Sequence, residues 1–165
     1  MTRKQITSFY ETHSRRLFNI SRRILQNSED AEEVMHDTIL KYVSTPFKPL
    51  TQEQVSAWLA RTCIRASVDR LRKRRREALF LEEYAHEAAE ADDVGSFEAY
   101  SPEMILGAMR QLDDPYRLIV TLVLIEGLDY QEISAYTGMK ETTIRSAFSR
   151  GKHKLGEILK DGKPL

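Results

Sequence analysis

The sequence predicts an all-α protein of two small helical domains joined by a flexible acidic linker. Three observations carry this. Apolar residues recur at helical spacing through both ends of the chain, prolines fall only between those stretches, and all positive charge is missing from a middle segment. The formal net charge of zero conceals an uneven distribution: residues 1–79 carry 16 basic and 9 acidic residues, 80–103 none and 8, and 104–165 9 and 8. The expected division is therefore 1–79, an acidic linker at 80–103, and 104–165.

In the first domain, Ile6, Phe9, Tyr10, Leu17, Ile20 and Ile24 lie on one stripe, which predicts a helix over Gln5–Leu25. Asn27 and Ser28 offer capping side chains, and Glu29 and Asp30 suit the first turn of a second helix running to Val43. That helix should bury Ala31, Val34, Met35, Ile39 and Tyr42. Pro46 and Pro49 force a loop of about ten residues, because each removes a donor and restricts the residue before it. From Gln52 the helical period resumes through Val55, Trp58, Leu59, Thr62 and Ala66, and ends in the basic run Arg70 to Arg76.

The segment 80–103 contains Gly95 and Pro102, is rich in Ala and Glu, and reads as linker. Beyond it Ile105, Leu106, Met109 and Leu112 share a face, Asp113-Asp114-Pro115 makes a break, and an apolar helix follows from Tyr116 to Ile125, closed by Gly127. Asp129 and Glu132 form a capping-box pattern for a short helix to Thr137. Gly138 supplies a turn, and a basic helix runs from Glu141 to Leu159. Helix, glycine turn and helix make the helix-turn-helix pattern.

On the last helix, steps of about 100° per residue keep Phe148, Gly151 and Leu155 with Ile144 on a packed face. Thr142, Ser146, Ser149 and His153 fall opposite, and Arg145 and Arg150 flank them. Short hydroxyls allow close approach to base edges, and arginines reach guanine or phosphate, which suits a helix lying in the major groove. The alternative for such a helix is a solvated amphipathic surface. In the first domain Arg61 and Arg65, four apart, would extend the basic run into a strip along a phosphate backbone. Trp58 and Tyr42 lie on the apolar stripe and read as core, whereas Phe47, in the proline loop, reads as exposed and able to stack on an unpaired base. Asp30, Glu32, Glu33 and Asp37 on the second helix lack a partner base, metal ligands or a phosphate loop, so they read as a solvated or protein-docking face. The single cysteine, Cys63, excludes an internal disulfide, and the four histidines have no metal-ligand spacing. No cofactor, metal or catalytic residue is expected, nor any membrane insertion, and the expected location is cytoplasmic.

Taken in order, these residues resemble the extracytoplasmic-function (ECF) sigma factors of RNA polymerase, in the sigma-70 superfamily, from about Ile6 to Leu159. The likeness to sigma domain 2 lies in Phe9-Tyr10, Leu17, the string from Asp30 to Thr38, Ala57 to Arg61, and Leu71 to Arg75. The likeness to sigma domain 4 lies in Leu112 to Arg117, Glu126 to Ile133, and Thr143 to Ser146. The resemblance implies a promoter-reading subunit and not an enzyme. Asp30, Glu33, Val34, His36, Asp37 and Leu40 would dock on the clamp helices of the polymerase's largest subunit, and the second domain on the flap of the second-largest. Phe47, Lys48, Arg61, Arg65, Arg72, Lys73, Arg74 and Arg75 would engage the minus-ten element, with a flipped base captured by the loop between Ser44 and Gln54. Thr142, Arg145, Ser146, Ser149, Arg150, Lys152 and His153 would meet the minus-35 element. The acidic linker would thread toward the polymerase cleft, and an anti-sigma factor would hold the free protein. Two positions depart from the family's usual pattern: Thr137 stands where leucine is usual and Ala147 where arginine is common, the first bearing on domain packing and the second on one DNA contact. The competing class is a stand-alone helix-turn-helix regulator, although the first domain shows neither a receiver nor a ligand pocket. A nuclease using the carboxylates lacks the necessary metal-ligand spacing.

Overall fold

A computed structural model describes residues 1–75 and 97–162, apart from the side chain of Arg75. The chain divides into two compact units, Met1–Arg76 and Glu77–Leu165. Most of the segment read as linker, 80–96, lies outside the described residues.

The first unit is a bundle of α1 (Arg3–Leu25), α2 (Ser28–Ser44) and α3 (Gln52–Arg75), each packed on the other two. A capping box between Thr2 and Gln5 starts α1 two residues earlier than its apolar stripe indicates. Asn27 accepts from the Asp30 amide and starts α2. Leu17, Ile20 and Ile24 of α1, Ala31, Val34 and Met35 of α2, and Leu59, Ile64 and Leu71 of α3 are all buried. The few polar groups inside are satisfied locally: Ser67 donates to Ser21 Oγ at 3.0 Å or to the Cys63 carbonyl at 2.7 Å, and Cys63 Sγ reaches the Leu17 carbonyl at 3.4 Å. Cys63 is fully buried. Ile6 and Tyr10, read from periodicity as part of the inward stripe, are exposed, and Tyr10 lies against His36 on the outer side of α2 instead of in the core.

The second unit comprises α4 (Pro102–Met109), α5 (Asp114–Val120, continued by a π-helical turn Thr121–Ile125), α6 (Tyr130–Thr137) and α7 (Glu141–Asp161). Ser101 caps α4 and Pro102 begins it, where the missing proline N–H costs no helix bond. Phe97 and Tyr100, within the segment read as linker, pack on the core formed by Ala108, Met109, Leu112, Tyr116, Val120, Leu155 and Leu159. Pro115 likewise sits in the first turn of α5, so Asp114 and Pro115 open the helix expected from Tyr116. Arg117 is buried but paired with Asp114 and hydrogen-bonded to the Leu112 carbonyl at 3.1 Å. A buried charge is tolerated only with such partners. Gly151 lets α7 approach α5 closely, since a Cβ there would stand 2.6 Å from Val120 Cγ2.

Candidate nucleic-acid interface

In the second unit the turn between α6 and α7 is fixed by its own side chains. Asp129 and Glu132 complete the expected capping box at 2.8 and 3.2 Å. Gly138 ends α6 with φ of 74°, a left-handed value that a glycine adopts without strain. Ser134 Oγ donates to the Met139 carbonyl at 2.6 Å, and the Met139 amide donates to Thr137 Oγ1 at 3.2 Å. Thr137 is buried with its hydroxyl donating to the Ile133 carbonyl at 2.7 Å, so the departure from leucine adds a clasp across the turn. Lys140 makes no side-chain cap, as its residue type predicts.

Ile144, Ala147, Gly151, Leu155 and Leu159 form the inner face of α7. Thr142, Arg145 and His153 are exposed, while Ser146, Arg150 and Lys152 are partly exposed. Arg145 lies 5.5 Å above the Tyr130 ring, which orients its guanidinium from the first residue of α6. His153 pairs with Glu157 at 3.0 Å. Ser149 corrects the sequence reading, since its hydroxyl is buried without a hydrogen-bond partner and is turned from the surface. The packed stripe is broader than the line from Ile144 indicates because α7 lies against α4, α5 and α6. For the same reason the Ala147 side chain points into the unit.

In the first unit the proline loop is held by an aromatic stack. Phe9 lies on Tyr42 (4.7 Å, 6°), Tyr42 on Phe47 (5.0 Å, 20°), and Trp58 meets Phe47 edge-on at 5.2 Å. Phe47 is therefore half-buried and engaged, not free in the loop, whereas Tyr42 and Trp58 are half-buried and not core. Two clefts flank the stack. One of about 440 Å³ is lined by Tyr42, Pro46, Phe47, Lys48 and Leu50, and another of about 620 Å³ by Phe9, His13, Tyr42, Leu50 and Val55. Burial, with a smaller contribution from Arg16, pushes His13 below its ordinary pKa. The cleft wall at His13 thus favours a neutral imidazole.

The members of the basic strip differ in exposure and in the contacts they make. Lys48, Arg61, Arg65 and Lys73 are exposed and Arg72 partly so. Arg74 donates to the Leu25 carbonyl at 2.8 Å, and Arg70 to Asp30 at 3.2 Å and Glu33 at 2.6 Å. The Glu33 hydrogen bond, outweighing desolvation, raises the Arg70 pKa above its ordinary value. The Arg75 side chain and Arg76 lie outside the described residues.

On α2, Glu33, His36, Asp37 and Leu40 are exposed, Leu40 to 63%. Val34 cannot touch a partner because it is 3% exposed inside the bundle, and Asp30 is engaged by arginines. Tyr10 of α1 joins this face, stacked on His36 with its hydroxyl 2.9 Å from Nε2. Helical spacing alone concealed Tyr10, since it was counted with the inward residues. Among the described residues no group of three or more His, Cys, Asp or Glu is placed to hold a metal, and no helix is long and apolar enough to cross a membrane.

Comparison with known proteins matches residues 9–77 to the family model for sigma-70 region 2 and residues 103–155 to that for sigma-70 region 4. The chain is 28% identical over 153 residues to the ECF RNA polymerase sigma factor SigE of Mycolicibacterium smegmatis, covering 89% of this chain and 58% of that protein. It thus spans less than two thirds of that relative. It is 24% identical over 155 residues to SigM of Mycobacterium tuberculosis, covering 91% and 74%, and 22% identical over 149 residues to SigV of Bacillus subtilis, covering 90% and 87%. Among solved structures, the sigma factor RpoE of Bartonella quintana, crystallised with the anti-sigma factor NepR, shares the fold with a TM-score of 0.56 at 21% identity, over 97% of this chain and 99% of that one.

Proposed function

The chain belongs to the sigma-70 family, among its ECF members, and on that premise we propose that it binds core RNA polymerase and directs promoter-specific initiation of transcription. The observation that carries the reading is the presence, in order on one chain, of a region 2 bundle with an aromatic-walled cleft beside basic residues and a region 4 helix-turn-helix with a polar outer face. Thr142, Arg145, Ser146, Arg150, Lys152 and His153 meet the minus-35 element in the major groove. The clefts beside Tyr42 and Phe47 receive a base extruded from the minus-ten element, where a preformed aromatic wall offsets part of the few kcal/mol that unstacking costs. Lys48, Arg61, Arg65, Arg72 and Lys73 hold the strand phosphates.

Glu33, His36, Asp37 and Leu40, with Tyr10, dock on the clamp helices of the largest polymerase subunit, and the second unit meets the flap of the second-largest. The protein acts in the cytoplasm, supplies no catalytic group, and is held in reserve by an anti-sigma factor. A stand-alone helix-turn-helix regulator would need no region 2 bundle. The test is transcription from a genomic library by core polymerase with and without the chain. Discrete start sites that require the chain are expected, and their absence rejects the proposal.

A further inference from the structure

The basic run at the end of α3 sorts by face. Residues four apart share a side of a helix, so Arg70 and Arg74 both reach toward α1 and α2, Arg74 from an exposed position, while Lys73 points elsewhere on the helix. Arg70 Nη1 reaches Asp30 Oδ1 at 3.2 Å and Glu33 Oε2 at 2.6 Å. Arg74 Nη1 donates to the carbonyl of Leu25, the last residue of α1, at 2.8 Å, and stands 3.8 Å from Asp30 Oδ2. The end of α1, the first turn of α2 and the end of α3 are thereby joined at one corner. The arrangement suits each helix end, since a cation beside the last carbonyls of α1 and a carboxylate in the first turn of α2 both oppose the local backbone dipole.

Both Asp30 oxygens face a guanidinium, and its side chain is 30% exposed against 64% for Glu33. We propose that Arg70, Arg74 and Asp30 are positioning residues, which fasten the first turn of α2 to α3 so that Glu33, Asp37 and Leu40 are presented to polymerase in a fixed arrangement. This rests on the reading of α2 as the docking helix. It removes Arg74 from the phosphate contacts and Asp30 from the docking contacts. It also links the helix that docks to the helix whose basic face meets the opened strand, through side chains that touch neither partner.

The test titrates the full-length chain onto core polymerase. Arg70→Ala is expected to weaken binding by about five-fold, the scale of a half-exposed charged network, and Arg70→Lys to recover most of the loss. Asp30→Asn should weaken binding to a similar extent, and the double variant R70A/D30N should lose less than the sum of the two single losses, because the two residues share one network. In the assembled holoenzyme, Arg74→Ala should leave the salt dependence of promoter binding unchanged, whereas R72A/K73A should flatten it. Thermal unfolding of each variant is followed in parallel, and if R70A does not fold, R70K and D30N carry the comparison. Undiminished binding of R70A, additive losses in the double variant, or a flatter salt slope in R74A would each overturn the inference. Failure of the unaltered chain to bind core polymerase would instead reject the docking reading itself.

Discussion

Arg145 stands on the open side of α7 with its guanidinium 5.5 Å from the centre of the Tyr130 ring. A cation on an aromatic face keeps its in-plane donors free, so the ring restrains the arginine without consuming the groups that read a base. If Arg145 meets a guanine edge, Arg145→Ala will reduce discrimination at one base pair of the minus-35 element by about 1–3 kcal/mol. Tyr130→Ala, which removes only the support, should cost less, about 0.5–1 kcal/mol, and Tyr130→Phe almost nothing. Competition binding of holoenzyme against a panel of minus-35 variants separates these cases. A uniform loss on every sequence would make Arg145 a phosphate contact. Side-chain direction was only partly legible at this scale: one inward stripe was evident from Ile144, Gly151 and Leu155, but its breadth was not, which is why Ser149 was placed outside. Val34 belongs to the core by periodicity and to the docking set by the resemblance, and its burial agrees with the first.

Among the elements, the helices themselves were readable because their ends carry local chemistry. Asn27 and Asp129 each accept from the amide three residues on, an interaction that depends on nothing remote, whereas the same cap at Ser101 fell inside the segment read as linker. The break before α5 was legible, but the helix was expected from Tyr116 and begins at Asp114, because a proline is tolerated in a first turn and periodicity leaves that turn ambiguous by several residues. The division of the basic run was illegible, since which arginine meets Asp30 depends on how α3 crosses α2 and α1. The contact of α5 with α7 gives the sharpest test at this scale. At Gly151 a Cβ would lie 2.6 Å from Val120 Cγ2 and 3.3 Å from Tyr116 Cβ, and both neighbours are fully buried. Neither has space to retreat, so Gly151→Ala will force the two helices apart despite alanine's better helix propensity. The expected cost is about 1–3 kcal/mol, read as a lower unfolding midpoint of the full chain. An unchanged or raised midpoint would show that the helices accommodate a methyl group there.

For the whole molecule the decisive property is where charge stands along the chain. Residues 1–76 hold sixteen basic and eight acidic residues, while 80–96 hold six acidic residues and no basic one. The basic bundle would attract any duplex, but affinity for a polyanion depends on the whole field around the binding face, and charges within about 10 Å of one another remain coupled at 0.1 M salt. A covalently attached acidic segment therefore opposes non-specific binding by the free protein. Replacing Glu82, Glu83, Glu87, Glu90, Asp92 and Asp93 by their amides should raise the affinity of the free chain for random duplex DNA by roughly ten-fold at low salt, with the gain shrinking as screening increases. Fluorescence anisotropy over a salt series would show this as a steeper dependence of log affinity on log salt concentration. Equal affinities of the two proteins at every salt concentration would mean that the acidic segment stays beyond the screening length from the basic face, and that the zero net charge has no bearing on how the free chain avoids the rest of the genome.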